Sequence, residues 1–516
     1  MSMDIEEFRK AGYAAIDQIC DYFYSLEEKP VVAQVEPGYL AKLIPQAPPQ
    51  EGEKFEDIAA DYQRCIVPGL THWSHPSFFA YFPTACTFEG IIADLYTSAV
   101  SNPGFNWICS PACTELEVIV MDWAAQLFGL DAAFMNSGRA GGGCLQTTAS
   151  ESALIAAVAA RNTFMDAHQG VRLEDLVIIC TTQTHSLALK AGRVLGLAVR
   201  AIEVGPEDAY ALRGSQLRKA IAEETGKGRR PFFIIATIGT TSSGAVDNLS
   251  EIREVVREHP DIWLHVDAAW AGVALSCPEL RAQLLLDEVN AVAYSFCTNF
   301  HKWGLVNFDC STLWVRDRLA LTRALDVTPE FLRTKEGDAG TVTDFRNWHL
   351  ALGRRFRSLK LWFVLRSFGV EGFRAHIRKG IAQNNVFVNL VEKSPYLRLA
   401  APPSLALTVF RMVPGWTEEA KSVVEEPSVS SAADKAVTIA ASGGVAESKT
   451  PNVLTRALWE RLERRRGDLY LTQTLLNGVF CLRIAIGASR TQEEHVRRAF
   501  AIIEEEATAV AKELDI

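Results

Sequence analysis

The segment Trp263-Leu-His-Val-Asp267-Ala-Ala-Trp-Ala-Gly272 decides the fold class. The first five residues suit a buried strand, and the last of them is an aspartate. The mostly small residues that follow suit a turn. Apolar runs of this length are typical of strands buried on both faces of a sheet. Further runs of this kind occur at 176–181, 232–239, 291–296 and 311–315, with helical patterns at 186–197 and 249–258. This alternation predicts an α/β fold with a mostly parallel sheet that helices cover on both faces.

Three parts of the chain differ in their patterns. Residues 1–85 begin with apolar positions at helical spacing over 3–28, which predicts an amphipathic helix whose apolar face needs a partner. Residues 86–370 hold the alternating strands and helices. Residues 371–516 predict a smaller α+β unit. Its expected elements are strands within 395–413 and 468–487, a closing helix at 490–513, and a surface insertion at 417–452, which has no aromatic residue.

The composition excludes several classes of protein. The 516 residues carry a formal net charge of −10 and no basic tract, so nucleic acid and anionic membrane surfaces are unsuited as partners. The first ten residues lack the pattern of a secretory signal, and no apolar stretch is long enough to cross a bilayer. Eleven scattered cysteines, none in a C-x-x-C pair, indicate reduced thiols, so we expect a cytoplasmic location.

Lys302 follows an apolar run and stands between aromatic residues in the motif Asn299-Phe-His-Lys-Trp303. Burial disfavours the charged form of a lysine, and a neutral amine can form a Schiff base with an aldehyde. The alternative is a surface lysine whose carbon chain packs on Trp303. The motif alone leaves both interpretations open.

Asp267 stands at the end of its predicted strand, at the edge where open α/β sheets bind ligands. A carboxylate there can keep the nitrogen of a pyridine ring protonated, which makes the ring an electron sink. Ala269 is small enough for a ring to lie flat on it. The alternative is an aspartate that caps the following helix.

Residues 146–151, with the sequence QTTASE, follow three glycines at 141–143 and precede a helical pattern at 152–161. Hydroxyls and backbone N–H groups at a helix start can bind phosphate, which makes Thr148, Ala149 and Ser150 candidates. The alternative is an ordinary helix N-cap.

His185 also follows a predicted strand, and its imidazole could stack on a ring or move a proton. A lone histidine is more often structural. His72 and His75 lie in a loop without further ligand types at metal-binding spacing, so no metal is expected.

Together these motifs resemble the group II decarboxylases that use pyridoxal 5'-phosphate (PLP). The resemblance is to the aromatic L-amino-acid decarboxylases and the related aromatic acetaldehyde synthases, and it extends from the first helix to the last. The motifs that carry it are EPGYL (36–40), THW (71–73), FAYFPT (79–84), SPACTE (110–115), HVDAA (265–269), HKW (301–303) and LGRRFRS (352–358).

The resemblance implies an aspartate-aminotransferase-like fold (fold type I) with a seven-stranded sheet, and a homodimer with active sites at the subunit interface. It implies that Lys302 forms the Schiff base with PLP, that Asp267 contacts the pyridine nitrogen, and that His185 and Ala269 flank the ring. The phosphate would be held by Thr148, Ala149, Ser150 and Asn299, with Thr241 and His301 close by. The pocket for the aromatic L-amino-acid substrate would be lined by Trp73, Tyr81, Phe82, Pro83, Thr84, Phe105 (from the partner subunit) and Gly353.

Phe331 departs from the family pattern. It lies in the loop 328–333, at a position that a catalytic tyrosine holds in the amine-forming members and a phenylalanine in the plant aldehyde synthases. The resemblance therefore implies decarboxylation coupled to oxidation by O₂, with an aromatic acetaldehyde as the product. Simple decarboxylation to the amine is the first alternative. An acidic amino-acid decarboxylase and an inactive paralogue kept as a binding protein are the others.

Overall fold

A seven-stranded sheet forms the centre of the computed structural model, which describes residues 3–138, 140–414 and 451–516. The strand order is β1-β7-β6-β5-β4-β2-β3. Strand β7 runs antiparallel to both of its neighbours, and all the other pairs are parallel. The predicted α/β fold with a mostly parallel sheet is confirmed. The strands are β1 Gly142–Gln146, β2 Leu176–Thr181, β3 Ala198–Ile202, β4 Arg230–Thr237, β5 Trp263–Asp267, β6 Ser295–Asn299 and β7 Ser311–Val315.

Helices precede the sheet, connect its strands and cover its faces. Those of the first part of the chain are α1 Ile5–Tyr24, α2 Phe55–Asp61, α3 Phe88–Val100 and α4 Pro111–Phe128. Those that accompany the sheet are α5 Ala149–Ala167, α6 Leu187–Leu195, α7 Gly214–Gly226, α8 Leu249–Glu258, α9 Leu286–Val292, α10 Arg318–Leu325 and α11 Lys335–Asp338. Within the described ranges, no helix is long and apolar enough to cross a membrane.

The C-terminal part builds a second, smaller sheet, as expected. Its order is β10-β11-β9-β8, and every pair is antiparallel. The long helix α12 Arg357–Lys393 leads into this part and is interrupted at Gly369, whose φ of 60° lies in the left-handed region. The domain boundaries at residues 85 and 370 stay predictions. The remaining elements are β8 Leu397–Leu399, β9 Leu407–Met412, α13 Pro451–Glu463, β10 Thr472–Leu476, β11 Val479–Ala485 and α14 Glu493–Glu513.

Two predicted segments are corrected by the structure. The run 291–296 is not a strand from its first residue, because α9 continues to Val292 and β6 begins only at Ser295. The three glycines at 141–143 are not a phosphate loop, because Gly142 and Gly143 belong to strand β1. A Cβ atom on Gly143 would lie 2.5 Å from the ring of Trp314, so packing explains this glycine.

The predicted insertion 417–452 lies outside the described residues except for its last two. Asn452 belongs to α13, and its side chain exchanges hydrogen bonds with the turn between β10 and β11. The C-terminal bound of the predicted insertion is therefore too late.

Helix α1 confirms the expected amphipathic helix, although it ends four residues before the predicted limit. Asp4 begins it with a capping box, in which its carboxylate accepts from Glu7 N–H and the Glu7 carboxylate accepts from Asp4 N–H. None of its residues is buried, and Ile5 is 75% exposed. Near its C-terminal end, Phe23 packs edge-on against Phe88 and the Tyr22 hydroxyl lies 3.0 Å from Nδ1 of His72, whereas Ile5, Phe8 and Tyr13 at its other end stay exposed.

Candidate active site

One edge of the large sheet collects the carboxyl ends of six strands, of which β3 is parallel to its neighbour β2. Strands β2, β4, β5 and β6 are parallel, and β1 shares their direction because both it and β6 run antiparallel to β7. Parallel strand ends of this kind are where α/β sheets bind ligands. A cavity of about 200 Å³ lies at this edge. It is lined by Phe82, Thr148, Ala149, Ser150, His185, Leu187, Thr237, Gly239, Thr241, Asp267, Ala269, Trp270, Asn299, His301 and Lys302.

The cavity brings together all ten residues that were predicted to bind the cofactor, along with Phe82 from the predicted substrate set. The sequence analysis missed four lining residues: Leu187, Thr237, Gly239 and Trp270. Thr237 ends β4 directly opposite Asp267 in the register of the two strands. The rule that parallel strand ends meet at one edge could have identified it.

Lys302 follows β6 and has a lowered pKa, chiefly because burial disfavours the ammonium. The Asp267 carboxylate opposes this effect, and the Arg483 guanidinium adds to it. The Lys302 Nζ lies 5.2 Å from the centre of the Phe82 ring. A larger neutral fraction of the amine favours attack on an aldehyde.

Asp267 ends β5 and is almost fully buried. Its Oδ1 accepts a hydrogen bond from the Ala269 N–H at 3.0 Å, which holds the carboxylate at the strand end. The helix-cap alternative does not describe it, because only the short 3-10 segment Ala271–Ser276 follows, and its cap is Trp270. A buried carboxylate that faces a cavity is suited to a cationic ring nitrogen.

The start of α5 forms the opposite wall. Thr148 caps this helix by accepting from Glu151 N–H at 3.3 Å, and Ala149 and Ser150 supply the first helical N–H groups. A helix N-terminus carries roughly half a positive charge, so it attracts phosphate. In the same lining, the Asn299 amide oxygen and the Thr237 hydroxyl are buried and have no hydrogen-bond partner among the described residues.

Two histidines in the wall are held in a defined neutral form. The Nδ1 of His185 accepts from Leu187 N–H at 3.2 Å, and the Nδ1 of His301 accepts from Cys310 N–H at 2.9 Å. Burial lowers the pKa of both imidazoles, that of His301 to about 3. Each neutral ring therefore carries its proton on Nε2, where it can be donated.

Arg483, on β11, is a buried cation that sequence analysis also missed. Its guanidinium lies 4.3 Å from the centre of the Phe82 ring, and its Nη1 donates to the Thr472 hydroxyl at 3.3 Å. Among the described residues no carboxylate pairs with it, and its Nε and Nη2 have no hydrogen-bond partner. Burial lowers its pKa to about 9, so it stays charged at neutral pH. No pattern in the sequence marks this arginine.

Of the predicted substrate residues 81–84, Phe82 lines the cavity and the other three lie next to it in the chain. Tyr81 is half exposed and stacks on Trp73, with the ring centres 5.6 Å apart. Its hydroxyl lies 3.2 Å from the hydroxyl of Tyr470. Burial and this hydrogen bond raise the pKa of Tyr470 to about 12. Pro83 and Thr84 continue towards Ala85, whose N–H donates to the His301 carbonyl at 3.1 Å.

Besides Trp73, Tyr81, Pro83 and Thr84, three further predicted residues do not line the cavity within one chain. Gly353 lines a different hollow, between α3 and α12, and Phe105 accepts a backbone hydrogen bond from Arg346. Phe331 lies in the short helical turn Glu330–Leu332, with 80% of its surface exposed. A single chain therefore does not bring these residues to Lys302.

Residues 37–413 match the family model described as the pyridoxal-dependent decarboxylase conserved domain. The chain belongs to this family. The chain is 40% identical to the phenylacetaldehyde synthase of Arabidopsis thaliana, over 98% of this chain and 97% of that protein. It is 38% identical to tyrosine decarboxylase 2 of Narcissus pseudonarcissus, over 98% and 95% of the two chains. It superposes on the structure of Oryza sativa TDC with PLP and tryptamine with a TM-score of 0.88, at 36% identity and 99% coverage of both chains.

These comparisons confirm the resemblance inferred from the motifs. The chain is a PLP-dependent enzyme of the aromatic amino-acid decarboxylase and aldehyde synthase group. The residues of the cavity are also suited to PLP independently of these comparisons. It offers a lysine of lowered pKa for the aldehyde, a helix start and the unpartnered Thr237 hydroxyl for an anion, and a buried carboxylate for a ring nitrogen.

The substitution Lys302→Ala should abolish covalent attachment of PLP, because no other lysine lines the described cavity. Borohydride reduction followed by peptide mass spectrometry should find the cofactor mass on the peptide that contains Lys302, and on none in the variant. Lys190→Ala, on the exposed side of α6, is the matched control and should keep the modification. Cofactor mass on a different lysine of the unaltered protein would contradict this assignment.

Proposed function

We propose that the enzyme converts an aromatic L-amino acid, O₂ and water into the aromatic acetaldehyde, CO₂, ammonia and H₂O₂. The observation that carries the proposal is Phe331, which has no proton to donate at the loop position where the amine-forming relatives are expected to hold tyrosine. Without rapid protonation at Cα after CO₂ is lost, O₂ has time to accept electrons from that carbon. General acid catalysis of the missing kind is worth roughly 10²–10⁴-fold.

The proposed roles of the cavity residues follow from their surroundings. PLP, when bound, withdraws electrons from Cα and so permits CO₂ to leave. Lys302 binds the cofactor through its amine. Asp267 holds a proton on the ring nitrogen, which keeps the ring electron-poor. The start of α5 and the Nε2–H of His301 bind the phosphate, because these donors face a group that carries negative charge.

Arg483 is proposed to bind the α-carboxylate of the substrate. A buried guanidinium without a carboxylate partner is costly to the protein, and a bound carboxylate would supply the missing charge and acceptors. Its position over Phe82, beside Lys302, places the cation near the amine that the substrate must displace. The α-carboxylate is then held at the site where it is removed.

A homodimer is proposed to complete the site. The apolar face of α1 is exposed, and α3 also exposes Phe88, Leu95 and Tyr96. Exposed apolar surface of this extent on neighbouring helices is typical of an interface. A dimer would also account for Phe105, Phe331 and Gly353, which the resemblance assigns to the active site although a single chain keeps them away from Lys302.

Three alternatives are weaker. A simple decarboxylase needs another proton donor for Cα, and the Nε2–H of His185 is the candidate in the cavity. An acidic substrate is disfavoured by the aromatic cluster of Trp73, Tyr81 and Tyr470, which adjoins Phe82 in the chain. An inactive binding protein would have no reason to keep every cofactor contact.

We further propose a cytoplasmic location, because all eleven cysteines are free thiols.

Arg483→Met should lower kcat/KM for an aromatic L-amino acid by about 10- to 100-fold, the scale of a lost hydrogen-bonded ion pair. The inhibition constant of the matching amine should change little, because the amine has no carboxylate. L-tryptophan and tryptamine form a suitable pair. Arg411→Met, on the neighbouring strand β9, is the control. Equal weakening of both ligands would show that Arg483 does not bind the carboxylate.

Light scattering should give twice the chain mass of 56.8 kDa for the enzyme in solution. Phe8→Asp should shift the equilibrium towards monomer, because it places a charge on the exposed apolar face of α1. Lys10→Asp changes an exposed residue of the same helix and should leave the dimer intact. A monomer in the unaltered protein, at every concentration, would rule out the dimer.

Phe331→Tyr should shift the product from aldehyde and H₂O₂ to amine, because it supplies the hydroxyl that can protonate Cα. The side chain is mostly exposed, so the added oxygen meets no crowding within the chain. Both enzymes should be assayed in air for CO₂, amine, aldehyde and peroxide. Phe55→Tyr, another exposed phenylalanine, controls for the added hydroxyl. Amine without peroxide from the unaltered enzyme would leave simple decarboxylation as its function.

A further inference from the structure

Four polar side chains lie in a row behind Asp267, on β5 and β6. The Trp263 indole N–H donates to the Ser295 hydroxyl at 2.8 Å, and that hydroxyl lies 2.8 Å from the Nδ1 of His265. The Nε2 of His265 lies 3.6 Å from the Cys297 sulfur, and the sulfur lies 3.8 Å from Oδ1 of Asp267. Each side chain is buried, and none except Asp267 lines the cavity.

The two ends of this row determine the direction of every hydrogen bond in it. An indole N–H can only donate, so the Ser295 oxygen accepts from Trp263 and its O–H is free to donate to Nδ1 of His265. The neutral imidazole then carries its proton on Nε2 and donates it to the Cys297 sulfur. The thiol in turn donates to Asp267, because an ionised carboxylate can only accept.

The protonation states that this direction requires agree with the surroundings. Burial lowers the pKa of His265 to about 4, so the imidazole is neutral at neutral pH, although the Asp267 charge opposes this. Burial and the same carboxylate raise the pKa of Cys297, so the thiol keeps its proton. Lys302 is the other charged group near the thiol, and its opposing effect on that pKa is smaller.

We propose that this row, the relay Trp263–Ser295–His265–Cys297, positions and polarises Asp267 for the ring nitrogen of PLP. Oδ1 is occupied by the Ala269 N–H and the Cys297 S–H. No residue in the described part of the chain donates to Oδ2, which leaves this oxygen for the ring nitrogen. His265 and Cys297 are thus positioning residues, which act on the cofactor through Asp267. The inference rests on the proposed role of Asp267.

The direction of the relay can be read without any measurement of turnover. In the holoenzyme labelled with ¹⁵N in histidine, His265 should give the signal of a neutral ring protonated at Nε2, from about pH 5.5 to pH 8. His265→Asn assigns the signal by removing it. Ser295→Ala removes the donor to Nδ1 and should convert part of the population to the other tautomer. An Nδ1-protonated His265 in the unaltered enzyme would overturn the relay, whatever the role of Asp267.

The effect of the relay on the cofactor is measured by the affinity of the apoprotein for PLP. Cys297→Ala removes the donor to Oδ1 and should weaken binding about tenfold, the size expected for a lost hydrogen bond to a charged group. Cys297→Ser keeps a donor and should bind PLP within about threefold of the unaltered protein. Cys277→Ala removes a buried thiol that donates to the Arg374 carbonyl, away from Asp267, and should have no effect.

The outcomes separate the relay from the role of Asp267. If Cys297→Ala binds PLP as tightly as Cys277→Ala does, the thiol only fills space and the proposal fails. If Asp267→Asn binds and turns over like the unaltered enzyme, the proposed role of Asp267 fails, even where the tautomer of His265 is as expected. Thermal unfolding of each apoprotein identifies a variant that is merely unfolded. In that case Cys297→Ser and the ¹⁵N signal still decide the question.

Discussion

The parallel pairing of β4, β5 and β6 is the constraint on which the site depends. The register sets Thr237 opposite Asp267, and Asp267 opposite Cys297. Because successive side chains of a strand point to opposite faces, a slip of β5 by one residue would turn Asp267 away from its neighbours. The same slip would place His265 on the other face. Cofactor contact and supporting hydrogen bonds are therefore set by one alignment, which buried side chains on both faces of the sheet enforce.

The charge balance of the cavity explains what it is built to hold. Lys302 lines the wall, Arg483 lies behind it over the ring of Phe82, the start of α5 adds partial positive charge, and Asp267 is the single carboxylate among the described lining residues. A cavity of this kind has an excess of positive charge until anionic groups bind in it. In the proposed function, the phosphate of PLP and the carboxylate of an amino acid would supply such charge, and Asp267 would compensate the ring nitrogen.

Aromatic stacking joins parts of the chain that are far apart in sequence. The Arg483 guanidinium lies over Phe82, Phe82 stacks on Trp270 at 4.6 Å, and Trp270 stacks on Trp303 at 5.4 Å. The column connects the small sheet, the segment that carries the predicted substrate residues, and the residue next to Lys302. Gly380 is small enough to leave room for the Trp303 ring, since a Cβ atom there would lie 2.9 Å from it. A movement of the small sheet relative to the large one would thus displace the residues that surround Lys302.

The sequence by itself determined the elements and most of the cavity. The runs that became β2, β5 and β7 were bounded correctly, because strands buried on both faces are apolar throughout. The ten cofactor candidates stood at strand or helix ends or in family motifs, which is local information. Strand β3 was missed because it is half exposed and carries Arg200 at its centre, so it lacks the apolar run of a buried strand.

Only the tertiary structure decided the rest. Arg483 lies over Phe82, some 400 positions earlier in the chain, because β11 docks there, and no local pattern encodes such a contact. The relay behind Asp267 likewise requires the register of β5 with β6. Strand and helix formation depends on neighbours along the chain, which a sequence displays directly. Unpaired charge, hydrogen-bond direction and burial depend on neighbours in space, and these exist only once the sheets have packed.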